Sequence, residues 1–348
     1  MPPKALPAGT QATVKIVNIG QGDCILITTP NGRQVLVDGG SVRGMAKSDK
    51  AAMERLKRDL WGDSLASRKP IDILVLTHND DDHYNKMGDI LGKIEVKKVY
   101  YSGKDSDYSA YVFRQWKFGT GDFRNTPANI KSWESITVDE DAPDPITILT
   151  EQTVNKQTFK LEVLAANYIP PDTNWTLTTS TSIPINTRSI VIRGSLNGGT
   201  FLLMGDATHL TEEFLIENHG GDLKATIMKV GHHGGDNAST EEFVTSTSPK
   251  EAVFSCYPPG SRFKHPQSWA VERWAEVVDD DEDQHDVRLW NAGEFETDSY
   301  TKALWVTFDN GTVTYTFEET GMYYRGPLEV QNDGMDIEEG GTDEEDDD

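Results

Sequence analysis

Four potential metal ligands, His78, Asp80, Asp82 and His83, fall within six residues of the segment Thr77-His78-Asn79-Asp80-Asp81-Asp82-His83-Tyr84. Side chains alternate with period two along an extended chain, so positions 78, 80 and 82 share one side, and His83 turns inward where the next helix begins. Such a set can serve two metal ions about 3.5–4 Å apart, the spacing of two-metal hydrolytic sites. The plain alternative is a solvated loop in which Asp81 or Asp82 caps a helix. Three further groups argue against that alternative. Asp206 ends the apolar run Phe201-Leu202-Leu203-Met204-Gly205. His232 and His233 follow an expected strand at 224–230 and are flanked by Gly231, Gly234 and Gly235, which allow close backbone approach. His265, in Phe263-Lys264-His265-Pro266, follows an expected strand at 251–255.

Each candidate stands just past the C-terminal end of a strand, where the loops of a sheet converge on one edge. The run 72–76 reads as a strand covered on both faces. Before it, strands are expected at 13–19, 24–29 and 34–37, the last two joined by an Asn31-Gly32 turn, and a helix over 46–61. The middle, 101–186, reads as an irregular insertion with an aromatic helix near 107–117, followed by a strand at 187–193. Alternation then resumes: strand 200–204, helix 209–218, strand 224–230, helix 239–246, strand 251–255 and helix 267–277. Runs 303–308 and 312–317, around Asp309-Asn310-Gly311, read as a closing hairpin. This order suits two packed sheets with helices outside. Expected boundaries are a loose N-terminus over 1–11, one domain over 12–325 and a disordered acidic tail over 326–348.

Taken together, these motifs make the chain resemble a metallo-β-lactamase-fold hydrolase, whose hallmark is His-x-His-x-Asp-His after a strand; Asp80 replaces the second His here. Ile19-Gly20-Gln21-Gly22-Asp23, Leu36-Val37-Asp38-Gly39-Gly40, Gly205-Asp206, His232-His233-Gly234 and His265-Pro266, in that order, are similar to the hydrolase domain of ComEC-type DNA-uptake proteins and their free-standing relatives. The resemblance implies an α/β, four-layer αββα sandwich. It also implies two divalent ions, one held by His78, Asp80 and His232, the other by Asp82, His83 and His265, with Asp206 between them. Asp23 and Asp38 would steady the ligands from behind, while Lys264 or His233 would neutralise phosphate charge or protonate a leaving group. Asp82 would orient a water bridging the ions. The pattern departs from the family in two places. Tyr84-Asn85 stands where a Gly-Gly is usual, and residues 84–208 contain no histidine to supply the superfamily's third one. The resulting oxygen-rich donor set shifts preference toward manganese, beside zinc.

Composition bounds the partners. The net charge is −24, and the eleven Asp and Glu residues after Arg325 leave an acidic body when set aside. Such a body repels phosphate backbones, so no broad duplex-DNA surface is expected. Cys24 and Cys256 belong to no metal-binding cysteine pattern and read as buried thiols. The sequence shows no apolar run of membrane-spanning length and no signal-peptide core, so a cytoplasmic, membrane-free protein is expected. His209, His219 and His285 read as bystanders, the last in a solvated acidic loop. The leading expectation is a phosphodiesterase or nuclease acting on single-stranded or small nucleotide substrates. Alternatives are an ester, lactone, thioester or β-lactam hydrolase on the same site, and a catalytically silent interaction or defence protein using the Trp-containing insertion.

Overall fold

The computed structural model describes residues 9–42, 50–62, 69–108, 114, 117, 130–138, 141–171, 173–175, 182–257 and 263–328. The strands, in chain order, are β1 (Gln11–Ile16), β2 (Ile25–Thr28), β3 (Gln34–Val37), β4 (Ile71–Leu76), β5 (Val96–Tyr101), β6 (Trp133–Ser135), β7 (Ile146–Gln152), β8 (Thr158–Ala165), β9 (Val191–Leu196), β10 (Gly199–Leu203), β11 (Ile227–Lys229), β12 (Glu251–Phe254), β13 (Asp280–Asn291), β14 (Glu294–Lys302), β15 (Leu304–Val306), β16 (Val313–Glu318) and β17 (Tyr323–Arg325). They form an eight-stranded sheet, β17-β16-β1-β2-β3-β4-β5-β6, a seven-stranded sheet, β15-β12-β11-β10-β9-β8-β7, and a separate β13-β14 hairpin.

Period two sorts the first sheet between two cores. Ile25 and Ile27 of β2 face the core shared with the second sheet, whereas Leu26 joins Leu56 and Leu60 of the helix Lys50–Trp61 and Met87 and Ile90 of the helix Met87–Leu91. Behind the second sheet lie Phe214, Phe243 and Trp274, from the helices His209–His219, Glu241–Thr247 and Ser268–Ala275. Both sheets are therefore covered by helices on their outer faces, giving the αββα sandwich.

The structure corrects several expectations. The middle region is part of the sandwich: β6 extends the first sheet, and β7 and β8 extend the second. The aromatic helix near 107–117 falls mostly outside the described residues, as do 1–8 and the tail from 329. Residues 182–187 are helical, and the strand expected at 187–193 begins only at Val191. The runs around Asp309-Asn310-Gly311 are not a hairpin, because β15 pairs with β12 in one sheet and β16 with β1 in the other. A helical turn, Thr307–Asn310, directs the chain between them, and Asn310 Oδ1 accepts the Val306 N–H at 2.8 Å. His285 is no loop residue. It lies on β13, stacks on Trp305 at 4.7 Å and meets the Leu304 carbonyl at 2.6 Å through Nε2, so its substitution acts on packing.

The helix His209–His219 also steadies a loop that carries histidines. Buried Glu212 accepts the Ser239 and Thr240 N–H groups at 2.6 and 2.8 Å, and Thr240 caps the helix Glu241–Thr247. Glu212→Ala leaves the buried Ser239 N–H unpaired, at a cost of about 1–3 kcal/mol, and the half-buried Thr240 N–H to water. We expect a lower denaturation midpoint for this variant at unchanged m-value; a midpoint equal to wild type would show that water replaces the carboxylate.

Candidate metal centre

Strand β4 delivers the first ligands. Beyond Leu76 the chain bends at Asn79, and Asp80 (φ −78°, ψ 142°) takes the N-cap position of the short helix Asp81–Tyr84, its backbone carbonyl accepting the His83 N–H at 3.0 Å. Asp82 therefore lies on a helix and not on an extended stretch shared with His78 and Asp80. That helix is held by backbone from two distant motifs. The Asp23 N–H donates to the Asp82 carbonyl at 3.2 Å, and the Gly39 N–H to the His83 carbonyl at 2.7 Å. Only glycine permits this approach. A Cβ at Gly40 would stand 2.4 Å from the Asp82 carbonyl carbon and 2.5 Å from the His83 nitrogen. The Gly-rich motifs around Asp23 and Asp38 thus act by packing against the ligand loop.

Asp38 is held in the left-handed region (φ 56°) and takes hydrogen bonds from the Thr77 N–H (2.8 Å), the Thr77 hydroxyl (2.6 Å) and His83 Nδ1 (2.8 Å). The other imidazoles are fixed in the same sense. His233 Nδ1 lies 2.5 Å from the Ser255 carbonyl, and His232 Nδ1 bonds the Asn237 side chain. His78 Nδ1 faces the hydroxyls of Thr77 (3.0 Å) and Ser189 (3.3 Å). A hydrogen bond at Nδ1 places the proton there and leaves the Nε2 lone pair as the exposed ligand atom.

All four Nε2 atoms converge on Asp206. Its Oδ1 is 3.2 Å from His83 and 3.4 Å from His233, and its Oδ2 is 3.9 Å from both His78 and His232. Asp82 Oδ2 stands 3.6 Å from His233 Nε2. The Nε2 atoms of His78, His83 and His233 and Oδ1 of Asp206 are buried yet make no hydrogen bond. Burying bare polar atoms is costly, and a cation would repay that cost. The triads His78–His83–Asp206 and Asp82–His83–His233 each offer ligand atoms within 4.8 Å of one another. The donor set fits divalent metal.

Burial disfavours charge throughout the site, and neighbours decide which groups keep it. His78 is driven well below the usual imidazole value by burial and by His83. Burial and His232 take His265 down to about 3. For His83 and His233 burial is the largest single influence and acts downward too, but the surrounding carboxylates together outweigh it, Asp206 with Asp38 at His83 and Asp206 with Asp82 and Asp23 at His233, and both are raised. Burial likewise opposes the Asp206 carboxylate, which His233 and His83 nevertheless hold well below its ordinary range. Asp82, opposed by burial but drawn down by the adjacent His233 and His83, sits at about 2. Asp80 is lifted to about 7, by burial first and then by Asp82 and Asp206. Without metal, Asp80, His83 and His233 therefore hold protons at pH 6 that ligation must expel. The observed heat of manganese binding at pH 6 is expected to change with the ionisation enthalpy of the buffer; a buffer-independent heat would contradict this.

The remaining candidates lie at the margin. The His265 ring centroid is 5.0 Å from that of His232 and 6.2 Å from that of His233. Gly235 makes this contact possible, since a Cβ there would meet His265 Cε1 at 2.7 Å. Lys264 is exposed and lies over Trp290, 5.5 Å from its centroid, so its ammonium is turned to the rim and not packed among the buried ligands. His219 closes its helix and meets the Leu164 carbonyl at 3.0 Å, while His209 opens it beside Asn237.

Sequence reasoning missed Lys229. It is fully buried, pairs with Asp23 Oδ2, donates to the Gly205 carbonyl at 3.0 Å and stands 3.9 Å from Asp206 Oδ1. A lone lysine inside the apolar run Ile227-Met228-Lys229-Val230, just ahead of His232, was its available signal.

Residues 17–162 match the metallo-beta-lactamase superfamily. The chain is 23% identical over 277 residues to "ComE operon protein 3" of Bacillus subtilis (strain 168), and 25% identical over 268 residues to "Competence protein ComA" of Neisseria gonorrhoeae. Each alignment covers 76% of this chain but only 30% and 29% of the relatives, so the chain spans less than a third of their length. Among solved structures, Zn(2+)-bound PqqB from Methylobacterium extorquens overlaps with TM-score 0.40 at 9% identity, covering 82% of this chain and 99% of that one. CmlA, a diiron beta-hydroxylase from Streptomyces venezuelae, overlaps with TM-score 0.37 at 16% identity, covering 80% and 49%. Overlaps that loose carry no argument. Over residues 17–162 the chain is thus similar to the metallo-beta-lactamase superfamily, and over about three quarters of its length it is weakly similar to part of the two competence proteins.

Proposed function

We propose that this protein is a metal-dependent hydrolase of phosphodiesters, with single-stranded or small nucleotide substrates as the favoured class. The observation that carries the metal reading is the set of buried Nε2 atoms, each fixed from behind through Nδ1 and left without a hydrogen bond around Asp206. In this reading His78 and His232 serve the Oδ2 side of Asp206, and His83, His233 and Asp82 the Oδ1 side. Asp80 and His265 complete the set from the rim. This moves His233 from proton donor to ligand, since Ser255 ties its Nδ1 and its Nε2 faces two carboxylates.

Two ions, when bound, supply an acidified water and a clamp on phosphoryl oxygens. The chain's own residues do the rest. Asp82, kept ionised, orients the water, Asp38 holds His83 against rotation, and the Asp23 N–H holds the Asp82 carbonyl. Lys264 at the rim is placed to meet a phosphate from solvent. The imidazole donors suit zinc and the carboxylates of Asp80, Asp82 and Asp206 admit manganese beside it, while the motif likeness to DNA-uptake hydrolase domains supports the phosphodiester class. The acidic body points to short or single-stranded substrates over a duplex. A cytoplasmic location is part of the same reading; no helix among the described residues is long and apolar enough to cross a membrane. Purified protein loaded with manganese or zinc should cleave bis-p-nitrophenyl phosphate and linear dinucleotides. Fully metallated protein inert toward both but active on a lactone or thioester would transfer the assignment to carbonyl substrates.

A further inference from the structure

The third group of ligand-type atoms in the site is Asp23, Asp38 and His83, again within 4.8 Å of one another. Taken as side chains alone it is another place for a cation. Lys229 already reaches it: its ammonium pairs with Asp23 Oδ2, the oxygen that lies 3.9 Å from His83 Nδ1. The lysine cannot move away, because β11 is flanked by β10 and β12, the residue is fully buried and the Gly205 carbonyl takes a second N–H at 3.0 Å.

We propose that Lys229 is a built-in cation of this centre, filling with an ammonium the position that Asp23 and Asp38 would otherwise offer to a third metal ion. The inference rests on the metal reading above and concerns how many ions the site accepts. Charge supports it. Asp23, Asp38, Asp80, Asp82 and Asp206 bring five carboxylates to the site, and two divalent ions plus one ammonium match them. A buried carboxylate that loses its cation is strongly disfavoured and recruits another charge or a proton. Asp23 is the group so exposed, since its Oδ1 has no hydrogen-bond partner and lies 3.8 Å from His233 Nδ1. Held by Lys229, Asp23 stays behind the histidines. Released, it becomes a ligand.

The test compares wild type, Lys229→Met and the double variant Asp23→Asn/Lys229→Met. Bound manganese per chain is measured by elemental analysis after dialysis, and melting temperature is measured with manganese and with EDTA. Wild type should hold two ions. Lys229→Met should hold three, and its melting temperature should fall further in EDTA than that of wild type. The double variant, lacking both members of the pair, should return to two ions. If Lys229→Met is folded only with manganese, the proposal stands. If it does not fold under either condition, the double variant decides: folded with two ions supports the proposal, and unfolded overturns it. Two ions in a folded Lys229→Met, with wild-type sensitivity to EDTA, also overturns it. Wild type that binds no ion refutes the metal reading itself, and this proposal with it.

Discussion

Replacing Asp206 by alanine is expected to abolish metal retention and hydrolysis together while the sandwich stays folded. Asp206 faces His83 and His233 through one oxygen and His78 and His232 through the other, so its loss removes the group shared by both halves of the site. It also removes the carboxylate that most favours the charged forms of His83 and His233, leaving buried imidazoles packed close together, with the His78 and His83 rings 4.1 Å apart. Removing a group that merely supports a ligand costs about 10–100-fold in affinity or activity, so losing the shared ligand should exceed about a hundredfold. Elemental analysis and a phosphodiesterase assay on the same preparation check this. A variant that keeps its metal and its rate would place the centre elsewhere.

Gly40→Ala should produce a large stability loss for the addition of a single methyl group. The new Cβ would sit 2.4 Å from the Asp82 carbonyl carbon and the Tyr84 nitrogen, and 2.5 Å from the His83 nitrogen. These are backbone atoms of the ligand helix, itself pinned by the Gly39 and Asp23 N–H groups, so nothing flexible can yield. Overpacking in tight interiors costs about 1–3 kcal/mol, and immovable neighbours place this case at or above the top of that range. Gly221→Ala is the control, because a Cβ there meets nothing within 4 Å. Urea denaturation of both variants reads the difference. Equal midpoints would mean that the 81–84 helix can shift, and with it His83.

Much of the site was legible because its residue types are poor choices for anything else at those places. His78, Asp80, Asp82 and His83 follow a largely apolar strand, and Asp206 and His232 follow two further buried strands. Residue type and strand-end placement carry that far, whereas the expected period-two alignment of 78, 80 and 82 fails because Asp82 lies on the helix Asp81–Tyr84. They do not say which nitrogen of a histidine faces inward. That depends on Ser255, Asn237 and Asp38, and the last lies 45 residues from the ring it holds. Lys229 escaped because a lysine is ordinarily solvated, and only its pairing with Asp23, more than two hundred residues earlier, makes its burial tolerable.

The fold was less legible where local chemistry and tertiary packing disagree. β13 opens on Asp280-Asp281-Glu282-Asp283, which reads as a solvated loop, yet Val287 and Leu289 bury one face while their neighbours stay half-buried or exposed. The Asn- and Pro-rich middle hides β7 and β8, whose strand character comes from pairing beside β9. The closing hairpin failed for the opposite reason. Its turn residues were right, but strands flanking a good turn can still enter different sheets, as β15 and β16 do.

Anomalous diffraction from crystals grown with manganese tests the central claim most directly. Two peaks are predicted on either side of Asp206, one within bonding distance of the Nε2 atoms of His78 and His232, the other of His83 and His233, with Asp82 beside the second. Fully occupied peaks remote from Asp206, or none in protein that is folded and manganese-saturated, would contradict it.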